Sequence, residues 1–248
     1  MPKVICRFSC GAASAVATKL ALKDYPDAVI AYNDTGSEHS DNQRFLKDCE
    51  KWFGKPIQVL RSKKYKNTFE VFKARRFLSG ASGAPCTGEL KRIPGESIWK
   101  PGDMEVFGYT NEEESRVERF KRDNPERLIL TPLITAGLSK QDCFGFLHRS
   151  GIDLPEMYKL GFNNNNCIGC VKARDSLNYW KRVRKHFPEQ YNELAQLERE
   201  LGFSINRRSV KGQRVPVFLE DIPEGDPKGS DGVNISCGLF CMAEHDKD

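Results

Sequence analysis

The sequence predicts an α/β fold in which a parallel, twisted sheet carries helices on both faces. The first half of the chain alternates short β-rich runs with helical stretches, and this alternation is typical of parallel sheets. The length of 248 residues suits one large domain, and a hydrophobic content of 39% excludes an intrinsically disordered chain. A helical C-terminal part and a flexible acidic tail complete the predicted architecture.

The predicted strands and helices alternate in the order that a doubly covered sheet requires. Strands are predicted at residues 3–8, 28–32, 56–60, 105–108 and 127–130. Helices are predicted at residues 12–22, 41–53, 89–99, 112–122, 139–150, 173–186 and 189–201. Ligands of such sheets bind at the carboxyl ends of the strands, so the turns after the first two strands are the candidate site.

The charge of the chain changes near its C-terminus. Residues 220–248 hold eight acidic and two basic residues, whereas the whole chain has 39 Lys and Arg against 34 Asp and Glu, a net charge of +5. We therefore predict a domain over residues 1–205 and an extension over residues 206–248, whose acidic end could dock on the basic body. No apolar run approaches the ~20 residues of a membrane helix, and we expect a soluble, cytoplasmic protein.

The turn after the first predicted strand is a candidate anion site. Residues 9–14 (SCGAAS) are small and lead into a helix, and the backbone N–H groups at such a helix start attract negative charge. Ser9 and Ser14 could add hydroxyl donors, although a tight turn without a ligand explains the same pattern. The turn therefore predicts, but does not require, a phosphate ligand.

A second polar turn, residues 33–36 (NDTG), would lie beside the first at the same edge of the sheet. Asp34 could accept a hydrogen bond from a ribose or bind Mg²⁺, and Thr35 and Gly36 could line a base pocket. An ordinary Asp/Gly turn is the alternative.

Nine cysteines in a chain with no sign of export favour metal, cluster or redox chemistry over a disulfide framework. Cys167 and Cys170 form a CxxC motif, which is typical of zinc, of an iron–sulfur cluster or of a dithiol pair. Cys86 precedes a predicted helix, where the helix dipole stabilises a thiolate. Cys237 and Cys241 lie in the terminal CGLFC segment.

The remaining cysteines are weaker candidates. Cys6 lies within a predicted strand, and Cys49 and Cys143 lie within predicted helices, so we interpret these three as buried packing residues. Cys10 lies in the first turn, and the sequence leaves both a packing role and a ligand-binding role open for it.

Taken together, these segments resemble the phosphoadenosine/adenosine phosphosulfate (PAPS/APS) reductase family of the PP-loop, or adenine nucleotide α-hydrolase-like, superfamily. Residues 9–14 take the place of the PP-loop, and residues 34–36 match the DTG after strand two. Residues 86–94 (CTGELKRIP) match the CCxxRKxxP segment, and residues 108–116 resemble the GxR…ES…R segment. Further matches lie at Tyr158 with the CxxC and in the terminal CGL.

The resemblance implies an iron–sulfur enzyme that binds an adenine sulfonucleotide and reduces it to sulfite and the nucleotide by thiol chemistry. It implies nucleotide contacts from Ser9, Cys10, Gly11, Ser14, Asp34, Thr35, Gly36, Lys91 and Arg116. It implies Cys237 as the nucleophile, and a 4Fe–4S cluster, with zinc as the alternative, on Cys86, Cys167, Cys170 and Cys241. A thioredoxin-type reductant would be the partner, and a homo-oligomer stays open.

The sequence departs from the family pattern at several of these positions. Ala12 and Ala13 replace the Lys and Asp usual in the PP-loop, which disfavours ATP pyrophosphate cleavage and weakens phosphate binding unless Lys19, Lys91, Arg92 or Arg116 compensates. Thr87 stands where cluster-binding members have a second adjacent cysteine, and Thr110 replaces the Arg of the GxR segment. Ser236 and Phe240 replace the Glu and the His that flank the terminal cysteine.

Two other functions therefore stay open. One is sulfur transfer to tRNA or DNA by a three-cysteine cluster, for which the basic residues 172–185 could track a phosphate backbone, although a solvated helix face is the favoured interpretation of those charges. The other is a non-catalytic nucleotide-binding protein, which the alanines of the first turn favour.

Overall fold

A five-stranded parallel sheet lies at the centre of the molecule in the computed structural model, which describes residues 2–80 and 83–229. The strands are β1 (Val4–Phe8), β2 (Val29–Asn33), β3 (Ile57–Leu60), β4 (Met104–Val106) and β5 (Leu128–Leu130). Their spatial order is β3-β2-β1-β4-β5, and every neighbouring pair is parallel. The predicted α/β class is confirmed.

Helices connect the strands and form the C-terminal part. They are α1 (Ala12–Asp24), α2 (Asn42–Phe53), α3 (Thr68–Arg75), α4 (Ile93–Glu96), α5 (Glu114–Asp123), α6 (Pro132–Thr135), α7 (Lys140–Arg149), α8 (Glu156–Lys159), α9 (Leu177–His186) and α10 (Pro188–Leu201). A π-helix over Thr87–Arg92 precedes α4 and replaces the start of the helix predicted at residues 89–99. Within the described residues, no helix combines the length and the hydropathy that a membrane span requires.

The central strand shows why the sheet is covered on both faces. All five residues of β1 are buried, and successive side chains of a strand point to opposite faces. Val4, Cys6 and Phe8 pack into the main core with residues of α1, α2 and α7. Ile5 packs on the other face beside Trp99, in the segment after α4. A strand buried on both faces is a continuous apolar run, which is what the sequence shows at β1.

The C-terminal helices form a second core around the fully buried Trp180. Helix α9 begins at Leu177 rather than at the predicted residue 173, because Asp175 has a left-handed backbone (φ 66°) and the Ser176 side chain accepts from the Tyr179 N–H as an N-cap.

An antiparallel hairpin follows α10 and was not predicted. It consists of β6 (Asn206–Val210) and β7 (Gln213–Val217), joined by Lys211 and Gly212, which both have positive φ (50° and 80°) as a tight hairpin turn requires. The buried Glu198 of α10 accepts hydrogen bonds from the backbone N–H groups of Ile205 and Leu219, on either side of the hairpin. The described start of the 206–248 extension is thereby tied to the helical part.

Candidate functional site

A cavity of about 600 Å³ opens at the carboxyl ends of β1 and β4. Ser9 follows β1 and Gly108 follows β4 at its wall. The chain leaves β1 toward β2 on one side and reaches β4 on the other, so the cavity lies where the strand order reverses. This is the position at which open α/β sheets bind their ligands, and the volume falls in the range of small-molecule sites. We call this space the large cavity.

The Ser14 hydroxyl organises the first turn. It accepts from the backbone N–H groups of Ser9 (3.1 Å) and Gly11 (3.3 Å) and donates to the Gly11 carbonyl (2.9 Å). The Tyr158 hydroxyl accepts from the Ala12 N–H at 3.3 Å. Ser9, Gly11 and Ser14, the candidate phosphate contacts of the sequence analysis, all line the large cavity. The Ser9 and Gly11 amides already donate to the Ser14 hydroxyl, so an anion would have to replace that hydroxyl as their acceptor.

Cys10 does not line the large cavity among the described residues, because its side chain turns into the core. The residue is fully buried, its φ is +59°, and its Sγ lies 3.6 Å from the Asn42 carbonyl oxygen. Burial raises the pKa of the Cys10 thiol well above its ordinary value, so this thiol stays protonated at neutral pH.

The second turn contributes to the site differently from the prediction. Asp34 forms an ion pair with Arg61 at 2.7 Å, and neither Asp34 nor Gly36 lines the large cavity. Thr35 is buried, and its Oγ1 lies 3.1 Å from the Sγ of Cys167. The residue of this segment that lines the large cavity is Asn33.

Besides Arg7, which is paired with the buried Glu105, three cations of the described residues line the large cavity. Lys91 is almost fully buried, with its Nζ 3.8 Å from Glu38, and Arg116 pairs with Glu113 and lies over the Tyr109 ring. Lys140, at the start of α7, is the third; it donates to the Asn163 carbonyl and to Asn164 Oδ1. No motif marked Lys140 in the sequence, and its position directly after the Ser139 N-cap was the available signal.

Cys86, Cys167 and Cys170 line one small cavity of about 20 Å³, together with Thr35, Lys91 and Lys172. We call it the thiol cavity. Cys86 directly precedes the π-helix. The CxxC loop is held by two hydrogen bonds, from the Ile168 N–H to the Ser37 carbonyl (2.8 Å) and from the Cys170 N–H to the Tyr179 hydroxyl (2.8 Å). Cys86, which lies 81 residues before Cys167 in the chain, is thus brought beside the CxxC pair.

The described thiols are not arranged for a single metal ion. Among residues 2–80 and 83–229, no three His, Cys, Asp or Glu side chains form a group that could hold one. Zinc–sulfur bonds of ~2.3 Å would require sulfur atoms about 3.8 Å apart. The other two predicted site cysteines, Cys237 and Cys241, lie outside the described residues.

A third space of about 690 Å³, the arginine groove, adjoins both cavities. It shares Tyr109 and Arg116 with the large cavity and Thr87 with the thiol cavity. Its other arginines are Arg75, Arg92 and Arg119, and its acidic residues are Glu89 and Asp123. Arg75 pairs with Glu89. Arg116 is paired with Glu113 of the large cavity, so Arg92 and Arg119 against Asp123 leave this groove an excess of one positive charge.

Of the cations named as substitutes for the missing PP-loop lysine, only Lys91 and Arg116 line the large cavity among the described residues. Lys19 lies elsewhere and donates to the Trp52 carbonyl. Arg92 lies in the arginine groove.

The basic helix α9 is covered by the acidic segment that follows the hairpin. Arg184 donates to the carbonyls of Ile222 (3.0 Å) and Pro223 (2.8 Å), and Lys185 pairs with Asp226 at 2.8 Å. Lys181 donates to the Glu224 carbonyl. Residues 222–226 of the acidic tail therefore engage this helix, and the α9 side chains that they contact do not form an open track for a nucleic acid backbone.

Cys6, Cys49 and Cys143 are fully buried in the main core. Burial raises the pKa of the Cys6 and Cys143 thiols to about 12 in each case and also raises that of Cys49. These thiols pack as small apolar groups, in keeping with their interpretation from sequence.

Comparison with known proteins supports the sequence resemblance. Residues 3–176 match the family model of the phosphoadenosine phosphosulfate reductase domain. An uncharacterized protein of Methanocaldococcus jannaschii is 23% identical over 206 residues, which cover 79% of this chain and 47% of that protein. The chain thus spans about half the length of this curated relative. A crystal structure of PAPS reductase from Candida auris in a phosphate complex aligns with a TM-score of 0.49 at 12% identity, covering 67% of this chain and 82% of that one.

Proposed function

Because the chain belongs to the phosphoadenosine phosphosulfate reductase family, we propose that it is an enzyme that binds an adenine sulfonucleotide in the large cavity and reduces its sulfur group to sulfite by thiol chemistry. The proposed ligand contacts are the first turn and the cations Lys91, Arg116 and Lys140. The proposed redox site is the thiol cavity.

A single observation carries the proposal: Lys91 lines both the large cavity and the thiol cavity. An ammonium group at this shared wall attracts the phosphate and sulfonate oxygens of a nucleotide on one side and favours thiolates on the other. The nucleotide and the thiols would therefore meet at Lys91.

The proposed reaction is an exchange at sulfur. A thiolate, which we assign to Cys237, attacks the sulfonate sulfur; a sulfur–sulfur bond forms as the sulfur–oxygen bond to the phosphate breaks, and the nucleotide leaves with that electron pair. A thioredoxin-type dithiol then attacks the cysteine sulfur and releases sulfite, and its second thiol restores the enzyme thiol as the reductant becomes a disulfide.

We propose that the thiol cavity holds an iron–sulfur cluster rather than a lone zinc ion. Its donors are soft thiolates, and Cys86, Cys167 and Cys170 would supply three ligands, with Cys241 proposed as the fourth. At about 20 Å³ the thiol cavity is smaller than a cluster, so its walls would have to move apart to admit one. When bound, the cluster would supply a redox-active, electron-poor centre.

Sulfite release tests the proposal directly. Protein purified without oxygen is incubated with PAPS or APS and a thioredoxin-type dithiol, and sulfite is measured. We expect turnover that falls at least tenfold in Lys91→Ala and is unchanged in Lys19→Ala, since Lys19 is bonded to the Trp52 carbonyl away from the cavity. Nucleotide binding without sulfite from either substrate would overturn the reductase and favour a non-catalytic nucleotide-binding protein.

Metal analysis tests the cofactor. We expect iron and acid-labile sulfide in the anaerobic protein, and their loss in Cys86→Ser and in Cys167→Ser. Zinc in place of iron would contradict the cluster.

The arginine groove favours a second candidate function, sulfur transfer to a nucleic acid. Its excess positive charge and its junction with both cavities suit a phosphate-bearing acceptor. In that case labelled single-stranded oligonucleotides should bind, the Arg92→Glu/Arg119→Glu variant should lose binding, and Arg208→Glu on the exposed hairpin should retain it. Oligonucleotide binding that is insensitive to the groove substitutions would remove this candidate.

A further inference from the structure

A buried carboxylate, Glu38, faces Lys91 behind the wall that separates the two cavities. The Glu38 side chain is 6% exposed and that of Lys91 is 9% exposed, and their charged atoms are 3.8 Å apart. Glu38 also accepts hydrogen bonds from the Tyr32 hydroxyl and from Asn42 Nδ2 (3.2 Å). Lys91, Tyr32 and Asn42 therefore all contact one carboxylate, which was not among the predicted site residues.

The surroundings of Glu38 tie it to Lys91. Burial raises the pKa of Glu38, while the Lys91 ammonium and the two hydrogen bonds act against that rise. A carboxylate removed from water needs a countercharge, and a lysine on a flexible four-carbon chain needs a fixed anion to hold one orientation. The pair satisfies both requirements.

A chain of hydrogen bonds extends from Glu38 to the asparagine loop, the four consecutive asparagines at residues 163–166. Asn42 Oδ1 accepts from Asn165 Nδ2 (2.7 Å), and Asn165 Nδ2 also donates to the Cys10 carbonyl (2.6 Å). Both partners of this amide nitrogen are oxygens, so the orientation of Asn165 is fixed. Asn165 lines the large cavity. The four-asparagine loop, the first turn and Lys91 are thus joined through Glu38 and Asn42.

We propose that Glu38 is a positioning residue, which holds the Lys91 ammonium at the shared wall so that it meets the phosphate or sulfonate group of the bound nucleotide. The inference rests on the proposed function only in taking the ligand to be an adenine nucleotide. Glu38 itself does not line either cavity among the described residues. Its effect on the ligand therefore passes through Lys91.

Glu38→Gln tests this role because the amide keeps the shape and can still accept from Tyr32. The first readout needs no ligand: amine labelling of Lys91, quantified by peptide mass spectrometry. We expect labelling to rise several-fold in Glu38→Gln as the ammonium is released. The matched control is Glu198→Gln, a buried carboxylate in the second core, in which Lys91 labelling should stay at the wild-type level. Unchanged Lys91 labelling in Glu38→Gln would overturn the proposal.

The second readout separates positioning from folding. In Glu38→Gln we expect the affinity for APS and ADP to fall about tenfold, the loss expected for one charge-assisted contact, while adenosine affinity is retained. In the Lys91→Met background, Glu38→Gln should have no further effect on nucleotide affinity. An equal loss for adenosine and ADP, or additive losses in the double variant, would assign Glu38 a purely structural role.

The two proposals fail separately in this design. If the wild-type protein binds no adenine nucleotide, the proposed function fails, and Lys91 labelling still decides whether Glu38 holds the lysine. If Glu38→Gln does not fold, Asn42→Ala removes one hydrogen bond to Glu38 and should raise Lys91 labelling to a smaller extent. No rise in that variant would overturn the proposal.

Discussion

Gly108 allows the chain that leaves β4 to press against the start of α1. A Cβ at this position would lie 2.6 Å from both the Cα and the N atom of Ser14, and neither backbone atom can move without opening the first turn. We expect Gly108→Ala to lower the free energy of unfolding by about 1–3 kcal/mol, the usual cost of overpacking, and to weaken nucleotide binding. Urea unfolding and equilibrium binding measure the two effects.

Gly145→Ala is the matched control for that substitution. Gly145 lies within α7, and its Cβ would meet the movable Arg149 guanidinium at 3.1 Å. Alanine is the better helix former by about 0.5–1 kcal/mol, so this variant should be at least as stable as the wild type. Similar behaviour of the two variants would contradict the role assigned to Gly108.

Buried thiols should be separable from site thiols by their reactivity. The pKa of about 12 for Cys6 and Cys143 leaves roughly one thiolate in ten thousand at pH 8, in addition to the barrier of burial. We expect both to resist iodoacetamide in the native protein until the pH approaches 12 or the chain unfolds, whereas the half-buried Cys86 and Cys170 of metal-free protein are labelled. Peptide mass spectrometry reads each site, and early labelling of Cys6 would contradict the assigned burial.

The residues of the site show what a sequence alone can reveal. Ser9, Gly11 and Ser14 could be placed at the cavity because a small-residue turn after a buried strand has one position in this kind of sheet. The inward orientation of the Cys10 side chain could not be predicted, because it depends on Asn42 and Asn165, which are distant in the chain. Glu38 and Lys140 escaped notice for the same reason: their partners are set by tertiary packing.

At the scale of elements, the strength of the sequence pattern decided which elements could be predicted. The strand predicted at residues 3–8 is β1 (Val4–Phe8), because an apolar run between polar turns has few alternatives. The hairpin was missed because four of the five β6 residues are exposed and the strand lacks apolar alternation. Its position is fixed instead by Glu198, which accepts from backbone on both sides of the hairpin.

The acidic segment on α9 should respond to the loss of one arginine. Arg184 satisfies two carbonyls of the segment, at Ile222 and Pro223, with charge-assisted hydrogen bonds. We expect Arg184→Ala to speed proteolysis and hydrogen exchange within residues 222–229, because roughly 1–3 kcal/mol of local stabilisation is lost, with a much smaller change in Tm. Arg208→Ala, on the exposed hairpin, should leave both rates unchanged. Equal protection of the segment in the two arginine variants would contradict this docking.

At the scale of the whole molecule, the candidate site lies where the two cores meet. The contact from Thr35 to Cys167 and the hydrogen bond from Ile168 to Ser37 join the loop after β2 to the loop before α9. The large cavity likewise combines strand ends of the sheet with the asparagine loop. Neither core alone forms the complete site, so the stability of the sheet also governs its geometry.

Glu105 joins three neighbouring strand segments beneath the site. It is fully buried on β4; one carboxylate oxygen accepts from Arg7 of β1 at 2.6 Å and the other from Arg127, just before β5, at 2.7 Å. Removing one member of a buried ion network leaves the remaining charges uncompensated, at a cost of about 3–5 kcal/mol. We therefore expect Glu105→Gln to lower the free energy of unfolding by that amount, measured by urea denaturation.

An ion pair on the surface tests whether burial causes the expected loss of stability in Glu105→Gln. Glu118 pairs with Lys121 on the exposed side of α5, and Glu118→Gln should change the free energy of unfolding by less than about 0.5 kcal/mol, because water solvates both partners. Replacing Arg7, Glu105 and Arg127 together by Met, Leu and Met should recover much of the stability lost in Glu105→Gln, since no buried charge then lacks a partner. A Glu105→Gln variant as stable as Glu118→Gln would mean that the network lies in a more hydrated environment than its burial indicates. A triple variant less stable than Glu105→Gln would instead mean that the strands need these ion pairs for their register.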